Sequence, residues 1–429
     1  MERKVTVAVV GLGGRGSVYA ECEALYSEEM EIVAIADIIP EKVEKWAKKY
    51  NIPKERCFSS AEELLQEDRL ADVMFICTQD RQHVGHAIPA LEKGYHLLLE
   101  KPISPDPAEC KRLAEIANRY NRHVVVCHVL RYTPFYQKIK EIIDSGTIGE
   151  IVSIQAIENV AYWHQAHSFV RGNWRNSDMT SPMILQKCCH DMDIFVWLSG
   201  KNCKRVSSFG SLTLFREDRA PEGSTLRCVD GCKVKESCPF DAEKIYVTNE
   251  NTGILHENSG WPCDILALEP SEEAIREALK TGPYGRCVYH CDNNVVDHQV
   301  VNLEMEDGST INFTMCAFTN KTGRAIKVMG TLGDIEANND DNIIDVCKFG
   351  GEHEIIDVTT LASDFSGHGG GDKRLVKDLL DLVRNECAPG SALTSIDKST
   401  QSHYISLALE ESRLRNGEMI DMDTYIKNI

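Results

Sequence analysis

The sequence predicts an α/β protein in which a doubly wound parallel sheet precedes an α+β domain with a large, mostly antiparallel sheet. Over residues 1–125, short apolar runs alternate with helical patterns, the order that gives parallel strands joined by crossover helices. Beyond residue 126, many runs alternate apolar and polar residues, as antiparallel strands with one wet face do. The predicted domains are residues 1–125, residues 126–371 and C-terminal helices over 372–429 that pack back on the body.

In the first domain, apolar runs predict strands at 5–10, 31–36, 73–77, 96–99 and 124–127. Amphipathic patterns between them predict a helix ending near residue 27 and further helices at 40–50, 60–67, 82–93 and 107–120. The helix at 40–50 opens on Pro40, a residue suited to the first helical position.

A helix at 131–145 opens the second domain, and one strong helix, 183–199, is closed by Gly200. Strands are predicted at 151–159, 205–215, 296–305, 310–317, 325–329, 333–337 and 343–348. The segment 216–295 is rich in turns and cysteine and is interpreted as an insertion. Helices at 372–386 and 395–414 end the predicted fold.

The first predicted strand runs into the sequence GLGGRG at residues 11–16, which matches the G-x-G-x-x-G turn of dinucleotide-binding proteins. The first glycine permits the tight turn, the second lets the backbone approach a pyrophosphate, and the third lets helix and strand pack closely. The helix that follows offers free N–H groups to the phosphates. The predicted cofactor contacts here are Gly11, Gly13, Gly14, Arg15 and Gly16.

An acidic residue, Asp37, ends the second predicted strand, about twenty residues after this turn. Its carboxylate can accept hydrogen bonds from an adenosine ribose 2′-OH and would repel a 2′-phosphate. We therefore expect a Rossmann NAD-binding domain that prefers NAD to NADP, although Arg15 would partly offset the repulsion. The structural alternative is a βαβ unit whose turn binds nothing.

The composition indicates a globular protein without a nucleic-acid or membrane partner. Its net charge of -19 leaves nothing to balance phosphate repulsion, and no apolar run approaches the ~20 residues of a membrane span. The first residues lead directly into a predicted core strand, so no signal peptide is expected. We predict a cytoplasmic protein whose 17 cysteines are mostly reduced.

Three further motifs resemble those of the Gfo/Idh/MocA oxidoreductases, the group of glucose–fructose oxidoreductase and inositol dehydrogenase. They are LEKP at 99–102 after TQDRQH at 78–83, the segment 156–175, and QKCCHDMD at 186–193. The resemblance covers essentially the whole chain. It implies that Lys101 lies beside the nicotinamide and that His190 is the acid/base. Because ligands bind at the carboxyl ends of parallel strands, the further predicted cofactor contacts are Thr78, His83 and Glu100.

The third motif departs from the family pattern. The family commonly has an aspartate four residues before the histidine, where this chain has Gln186, and a glycine pair where it has Ser181-Pro182. Asp193 or Gln186 is the expected substitute for orienting the imidazole of His190. The altered region puts the usual proton relay in question but not the fold.

The predicted chemistry needs a cation and a proton acceptor at one carbinol carbon. An alcohol that loses hydride also loses its hydroxyl proton, so a cation stabilises the alkoxide and a base removes the proton. The predicted catalytic residues are Lys101, His190 and Lys187. The structural alternatives are a surface lysine in a turn and ordinary charge pairs along a helix.

Polar and aromatic residues near these motifs are the candidates for sugar recognition, through hydroxyl hydrogen bonds and ring stacking. The predicted substrate contacts are Arg131, His164, His167, Arg171, Trp174, Asp193 and His368. The pair His164-x-x-His167 also suggests metal, but no third ligand is apparent nearby. For His368 the alternative is a plain loop entering a helix capped by Asp372.

The insertion carries cysteines at 228, 232, 238, 263, 287 and 291. Three or four thiolates can hold a tetrahedral zinc, but these spacings are looser than C-x2-C. A structural zinc at Cys228, Cys232, Cys238 and Cys291 is therefore the less favoured alternative, and free buried thiols are preferred.

The combined expectation is an NAD-dependent oxidoreductase acting on a sugar, polyol or glycoside hydroxyl, assembled as a homodimer or homotetramer. One alternative is an NAD-dependent glycosidase that oxidises a sugar, eliminates the aglycone, adds water and reduces again. Another is a non-catalytic NAD-binding sensor, which retention of both Lys101 and His190 disfavours.

Overall fold

Six parallel strands form the first sheet of the computed structural model, which describes residues 3–429. Their order, β3-β2-β1-β4-β5-β6, is the doubly wound order expected of a dinucleotide-binding domain. The near-continuous burial of the inner strands reflects helices on both faces. The strands are β1 (Val5–Val10), β2 (Met30–Ala36), β3 (Cys57–Phe58), β4 (Val73–Ile76), β5 (His96–Leu99) and β6 (Val124–Val126).

Helices cover both faces of this sheet and bury two apolar clusters against it. Two short helices, the first two in the chain, lie where the sequence predicts one helix that ends near residue 27. The helices are α1 (Gly14–Ala20), α2 (Cys22–Leu25), α3 (Pro40–Lys49), α4 (Ala61–Leu64), α5 (His83–Glu92) and α6 (Pro107–Arg119). A much later helix, α14 (Gly371–Arg384), completes one face with Leu375, Val376 and Leu379.

The second sheet has nine strands in the order β14-β13-β12-β11-β7-β10-β9-β8-β15, and only β7 and β10 pair in parallel. This confirms the predicted fold class. The strands are β7 (Ile151–Asn159), β8 (Cys203–Ser211), β9 (His298–Met305), β10 (Thr310–Cys316), β11 (Gly323–Gly330), β12 (Gly333–Asn338), β13 (Ile343–Lys348), β14 (His353–Asp357) and β15 (Ile420–Asp421).

The remaining helices surround this sheet and its connections. They are α7 (Pro134–Asp144), α8 (Tyr162–His164), α9 (Met183–Gln186), α10 (Cys189–Ser199), α11 (Cys263–Leu266), α12 (Glu272–Thr281), the kinked turn α13 (Ser366–Gly369), α15 (Ile396–Leu414) and α16 (Met422–Lys427). One face of the sheet packs against α7, α10 and α15 in a large apolar cluster. On other surfaces of this domain, Val152, Phe209 and Ile355 are exposed. None of the helices over residues 3–429 is long and apolar enough to cross a membrane.

The structure also differs from the prediction in the second domain. The helix predicted over 183–199 is broken at Lys187 and Cys188, so His190 is the second residue of α10 rather than mid-helix. The helix predicted over 131–145 starts as a tight turn, and α7 begins only at Pro134, capped by Thr133. The exposed strand β14 was not predicted, because its burial pattern does not alternate.

The insertion has an apolar core of its own. This core contains Phe215, Phe240 and Tyr246, together with Cys263 of α11 and Ile275 of α12. Ala166 and Val170, from the turns that follow α8, join the same cluster. The insertion is therefore docked on the segment that also carries the predicted substrate residues.

Candidate active site

The glycine-rich turn connects β1 to α1 and is shaped by close backbone contacts. Gly11 has φ +89°, and a Cβ there would lie 2.4 Å from the carbonyl oxygen of Cys77. A Cβ on Gly16 would lie 2.1 Å from the carbonyl oxygen of Gly11, whereas one on Gly13 would meet nothing within 4 Å. The first and third glycines are required by packing, and Gly13 faces open space. The N-terminus of α1 beyond it fits a pyrophosphate.

These contacts predict different outcomes for two similar substitutions. Gly16→Ala is expected to lower the free energy of unfolding by about 1–3 kcal/mol, because the added methyl overlaps backbone atoms. Gly13→Ala is expected to leave the unfolding midpoint unchanged and to weaken NAD binding by about tenfold, since its methyl would occupy the phosphate approach. Thermal unfolding and NAD titration measure the two effects, and equal midpoints for the two variants would contradict this assignment.

Asp37 anchors the rim of the same groove. Its two carboxylate oxygens accept hydrogen bonds from the backbone N–H groups of Leu12 (2.6 Å) and Ile39 (2.9 Å). Each oxygen keeps a second lone pair for a ribose hydroxyl. The carboxylate is thus held beside the glycine turn in the place where an adenosine ribose is expected.

Arg15 points away from that role. Its guanidinium lies 2.7 Å from a carboxylate oxygen of Glu100 and 2.5 Å from one of Asp372, and it also contacts the hydroxyl of Tyr19. Burial opposes the ionisation of Glu100 and Asp372, but the charge of Arg15 outweighs it and keeps both pKa values below their usual range. Because Arg15 is engaged by two buried acids, it does not offset the charge of Asp37.

Lys101 follows the carboxyl end of β5, and its side chain reaches the end of α9, four residues before His190. The ammonium group of Lys101 donates to the carbonyl oxygen of Gln186 at 2.9 Å, where α9 ends. The ring of His190 is buried, and within residues 3–429 its Nδ1 atom has no hydrogen-bond partner. Burial first, and then the positive charge of Lys101, lower the pKa of His190 well below its usual value. The histidine is therefore neutral at physiological pH.

Lys187 takes part in a buried charge network beside this pair. Its ammonium lies 3.1 Å from a carboxylate oxygen of Glu158, and Arg324 pairs with both Glu158 (2.8 Å) and Asp191 (2.7 Å). Lys187 lies in the break between α9 and α10 and not within the continuous helix that the sequence predicts. Lys187 is thus a partly buried cation with a carboxylate partner.

Arg131 and Asp193, two predicted substrate contacts, bind each other instead. The guanidinium of Arg131 donates to both carboxylate oxygens of Asp193 at 2.7 and 2.6 Å, and both side chains are buried. A buried, doubly hydrogen-bonded pair of this kind is satisfied without a ligand. Asp193 therefore does not orient His190, whose nearest ring neighbour on this side is His128, with ring centroids 5.8 Å apart.

Thr78 lies on the loop after β4, and His83, the first residue of α5, joins that loop to the turn after β5. Its ring nitrogens lie 2.7 Å from the carbonyl oxygen of Pro102 and 3.1 Å from that of Thr78. The indole N–H of Trp174 donates to Asp80 on the same loop at 3.2 Å. The segment that holds Trp174 is thus joined to the predicted cofactor edge.

Among the predicted histidines, His164 and His368 reach the site and His167 does not. His164 is half-buried, and burial followed by the charge of Lys187 lowers its pKa. The ring of His368 lies 6.1 Å from that of His190, and its Nδ1 atom lies 3.1 Å from a carboxylate oxygen of Asp372. His167 instead stacks on Tyr284 in the insertion, and burial lowers its pKa to about 3.

Arg171 is also turned away from the site, contrary to the sequence-based expectation. Its side chain is fully buried and donates to the carbonyl oxygens of Arg286 (2.6 Å) and Phe240 (2.7 Å) in the insertion. These contacts give Arg171 a structural role. It fastens the insertion to the second domain.

The cysteines of the insertion do not form the set suggested for zinc. Cys228, Cys232 and Cys238 line a cavity of about 10 Å³ together with Cys287, while the thiol of Cys291 donates to the Cys287 carbonyl oxygen at 3.2 Å. Across residues 3–429, no group of three or more His, Cys, Asp or Glu side chains is spaced to hold a metal ion. Burial raises the pKa of Cys287 to about 11, so that thiol is protonated.

Three residues that sequence reasoning did not assign also belong to this region. Tyr19 and Asp372 hold Arg15, and Asp372 had been considered only as a helix cap. Trp261 comes from the insertion, and its ring centroid lies 4.9 Å from that of His164. Nothing in the sequence near Trp261 links it to a site more than ninety residues earlier.

Comparison with known proteins assigns both halves of the chain. The description "Oxidoreductase family, NAD-binding Rossmann fold" matches residues 5–128, and "Oxidoreductase family, C-terminal alpha/beta domain" matches residues 140–394. The chain belongs to the Gfo/Idh/MocA oxidoreductase family. The resemblance inferred from the LEKP motif and its companions is confirmed, and the first domain is an NAD(P)-binding Rossmann domain.

Individual relatives are distant. YteT of Bacillus subtilis is 23% identical over 379 residues, which cover 82% of this chain and 83% of that protein. An inositol 2-dehydrogenase of Leifsonia xyli is 28% identical over 219 residues, or 50% of this chain and 59% of its own length. The structure of scyllo-inositol dehydrogenase from Lactobacillus casei with NAD(H) and scyllo-inositol has a TM-score of 0.66 at 16% identity, covering 98% of this chain and 100% of that one. This last likeness shows the fold.

Proposed function

We propose that this protein is an NAD-dependent oxidoreductase acting on a secondary alcohol of a sugar or polyol. The observation that carries the proposal is the proximity of Lys101 to His190 beside the strand ends that also carry the glycine-rich turn. A cation and a neutral proton acceptor at one place are what alcohol oxidation requires. The inositol dehydrogenases among the relatives are consistent with a polyol substrate.

NAD, when bound, supplies the acceptor or donor of hydride at its nicotinamide ring. The chain supplies the rest. The ammonium of Lys101, held by the carbonyl of Gln186, is placed to polarise the carbinol oxygen and to stabilise negative charge on it. His190, kept neutral by burial, has an Nδ1 atom that is unpartnered in the part of the chain that the structure describes, and it takes the hydroxyl proton in oxidation or returns it in reduction.

NAD is the proposed cofactor rather than NADP. Asp37 brings a negative charge to the ribose end of the groove, and Arg15 is bound to Glu100 and Asp372 instead of countering it. Asp37→Asn is expected to raise the equilibrium affinity for NADP relative to that for NAD by about tenfold, since it removes the repulsion of a 2′-phosphate but keeps an acceptor oxygen. Equilibrium titrations of the cofactor-free protein with both cofactors measure this ratio.

Glu41→Asn is the matched control, because Glu41 is an exposed acid at the start of α3, four residues from Asp37. It should leave the cofactor ratio unchanged. An unchanged ratio in Asp37→Asn as well would remove the support for NAD.

The experiment that tests the reaction uses the purified protein with a panel of sugars, cyclitols and aryl glycosides. Formation of NADH with a sugar or cyclitol supports the proposed dehydrogenase. Release of the aryl group without net NADH would instead establish the redox-neutral glycosidase. Nucleotide binding of equal affinity in the native protein and in Lys101 variants, with no turnover on any substrate, would favour a sensor.

We further propose that the protein is a homo-oligomer. Val152, Phe209 and Ile355, of three strands of the nine-stranded sheet, are each more than half exposed, an arrangement suited to self-association. Sedimentation equilibrium distinguishes a monomer from the expected dimer or tetramer.

A further inference from the structure

The insertion reaches the dinucleotide groove as well as the substrate side. The Cδ1 atom of Ile265 lies 4.0 Å from the position of a Cβ on Gly14, at the first residue of α1. The ammonium of Lys45 on α3 donates to the carbonyl oxygen of Leu268 at 3.3 Å. Residues 261–268, which we call the strap, therefore contact both helices that flank the predicted cofactor groove.

Contacts with the insertion core and with the segment around α8 hold the strap in place. Cys263 is fully buried in the insertion core, and its thiol lies 3.3 Å from the carbonyl oxygen of Thr252. Trp261 anchors the same end of the strap, because its ring packs against Trp163 and His164, with centroids 5.0 and 4.9 Å apart. With this end anchored in the insertion and Leu268 bonded to Lys45 at the other end, the strap is held beside the turn without help from a ligand.

The strap and the facing rim of the predicted cofactor groove both present exposed apolar side chains. Ile265 is 39% exposed and Leu268 is 43% exposed, and on the facing rim Ile38, next to Asp37, is 81% exposed. Exposed apolar side chains that flank a polar groove are typical of a ligand site, because the ligand covers them when it binds.

We propose that the strap covers the bound dinucleotide and keeps it on the protein between turnovers. The inference rests on the proposed function, since it takes NAD as the ligand of the groove. The pyrophosphate is expected at the N–H groups that begin α1, and Ile265 lies directly against the first of these residues. The cofactor can leave only when the strap moves, so dissociation is slow.

A retained cofactor limits the class of reaction. A carbinol carbon loses a hydride and its oxygen loses a proton, and a carbonyl compound must then gain a hydride and a proton before the next turnover. That carbonyl is either a second sugar or polyol-derived ketone or the oxidised substrate itself. The net reaction consumes no free NAD.

The test follows the exchange of bound NAD. The purified full-length protein is loaded with isotope-labelled NAD, desalted and mixed with excess unlabelled NAD, and the retained label is measured by mass spectrometry over time. Ile265→Asp places a negative charge beside the phosphates and is expected to speed release at least tenfold. Leu255→Asp is the matched control, because Leu255 is a 50% exposed apolar residue elsewhere in the insertion. It should exchange at the native rate.

The possible results separate the strap from the proposed function. Complete exchange of the native protein within the mixing time, or equal rates for native protein and Ile265→Asp, would overturn the strap while leaving NAD binding intact. A native protein that binds no NAD at all would overturn the proposed function itself. Equal thermal unfolding midpoints for the two variants show that any faster release is not caused by unfolding.

Discussion

Replacing Lys101 by methionine is expected to lower kcat by about 10²–10³-fold, the usual cost of losing one group that stabilises a developing oxyanion. The methylene stem is retained, so the packing around the turn after β5 changes little. The affinity for NAD should stay close to that of the native protein, because the glycine turn and Asp37 are untouched. Single-turnover absorbance at the NADH band separates the chemical step from binding.

The variant also removes the bond from the ammonium to the carbonyl of Gln186 at the end of α9. A thermal unfolding midpoint near the native value is therefore needed before the loss of turnover is assigned to chemistry. Lys111→Met, on the exposed side of α6, is the matched control and should keep full activity. A kcat for Lys101→Met within threefold of the native value would show that Lys101 does not act on the reacting oxygen.

The Rossmann half was predictable because each of its features has a local cause. The glycine turn is determined by backbone contacts between residues close in sequence or on adjacent strands, as at Gly11 and Gly16. The apolar runs of β1 and β4 are buried on both faces, so composition alone marks them as strands. Asp37 follows its strand directly and needs no distant partner to reach the rim.

The second half of the site was less predictable because partner choice is decided by long-range packing. Arg131 and Asp193 were both assigned to substrate from their residue types, but they are 62 positions apart and neutralise each other. Arg171 finds its carbonyl acceptors 69 and 115 residues later, in the insertion. The sequence indicates which types of side chain lie near the site, but it does not indicate which of these residues pair with one another.

The helix break at Lys187 is a similar case. The sequence there has no proline or glycine, and its apolar spacing predicts one continuous helix. The carbonyl of Gln186 is nevertheless used by Lys101 from the other domain, so α9 ends where the site needs an acceptor. Local propensity was overridden by a contact that links residues 85 positions apart.

Acidification below pH 6.5 is expected to destabilise this protein strongly, because several histidines are buried in the neutral form. His128, His167, His190 and His403 are each at most 5% exposed. Burial is the main cause that lowers all four pKa values, to about 3 for His167 and His403. The unfolded chain binds protons near pH 6.5, where the folded protein does not.

The direction of the pH effect on stability follows from this difference in proton binding between the folded and unfolded chains. A group whose folded pKa is depressed loses stabilisation as the pH falls below the unfolded value, at about 1.4 kcal/mol per pH unit for each histidine. Four such groups together cost about 5 kcal/mol at pH 5.5, a large part of the stability of a typical domain. Asp193, whose pKa burial raises, acts in the opposite direction, so the contribution of one histidine is the cleaner quantity.

His403→Gln isolates that quantity. The Nε2 atom of His403 accepts a hydrogen bond from the backbone N–H of Ile103 at 2.8 Å, and a glutamine oxygen can replace it without titrating. Urea unfolding at pH 7.5 and 5.5 should show a native loss of stability that is about 1.4 kcal/mol larger than that of the variant. His256→Gln, at an exposed position, should lose as much as the native protein. Equal losses in all three proteins would mean that His403 is protonated in the folded state, and the turn after Lys101 would then lack its acceptor at low pH.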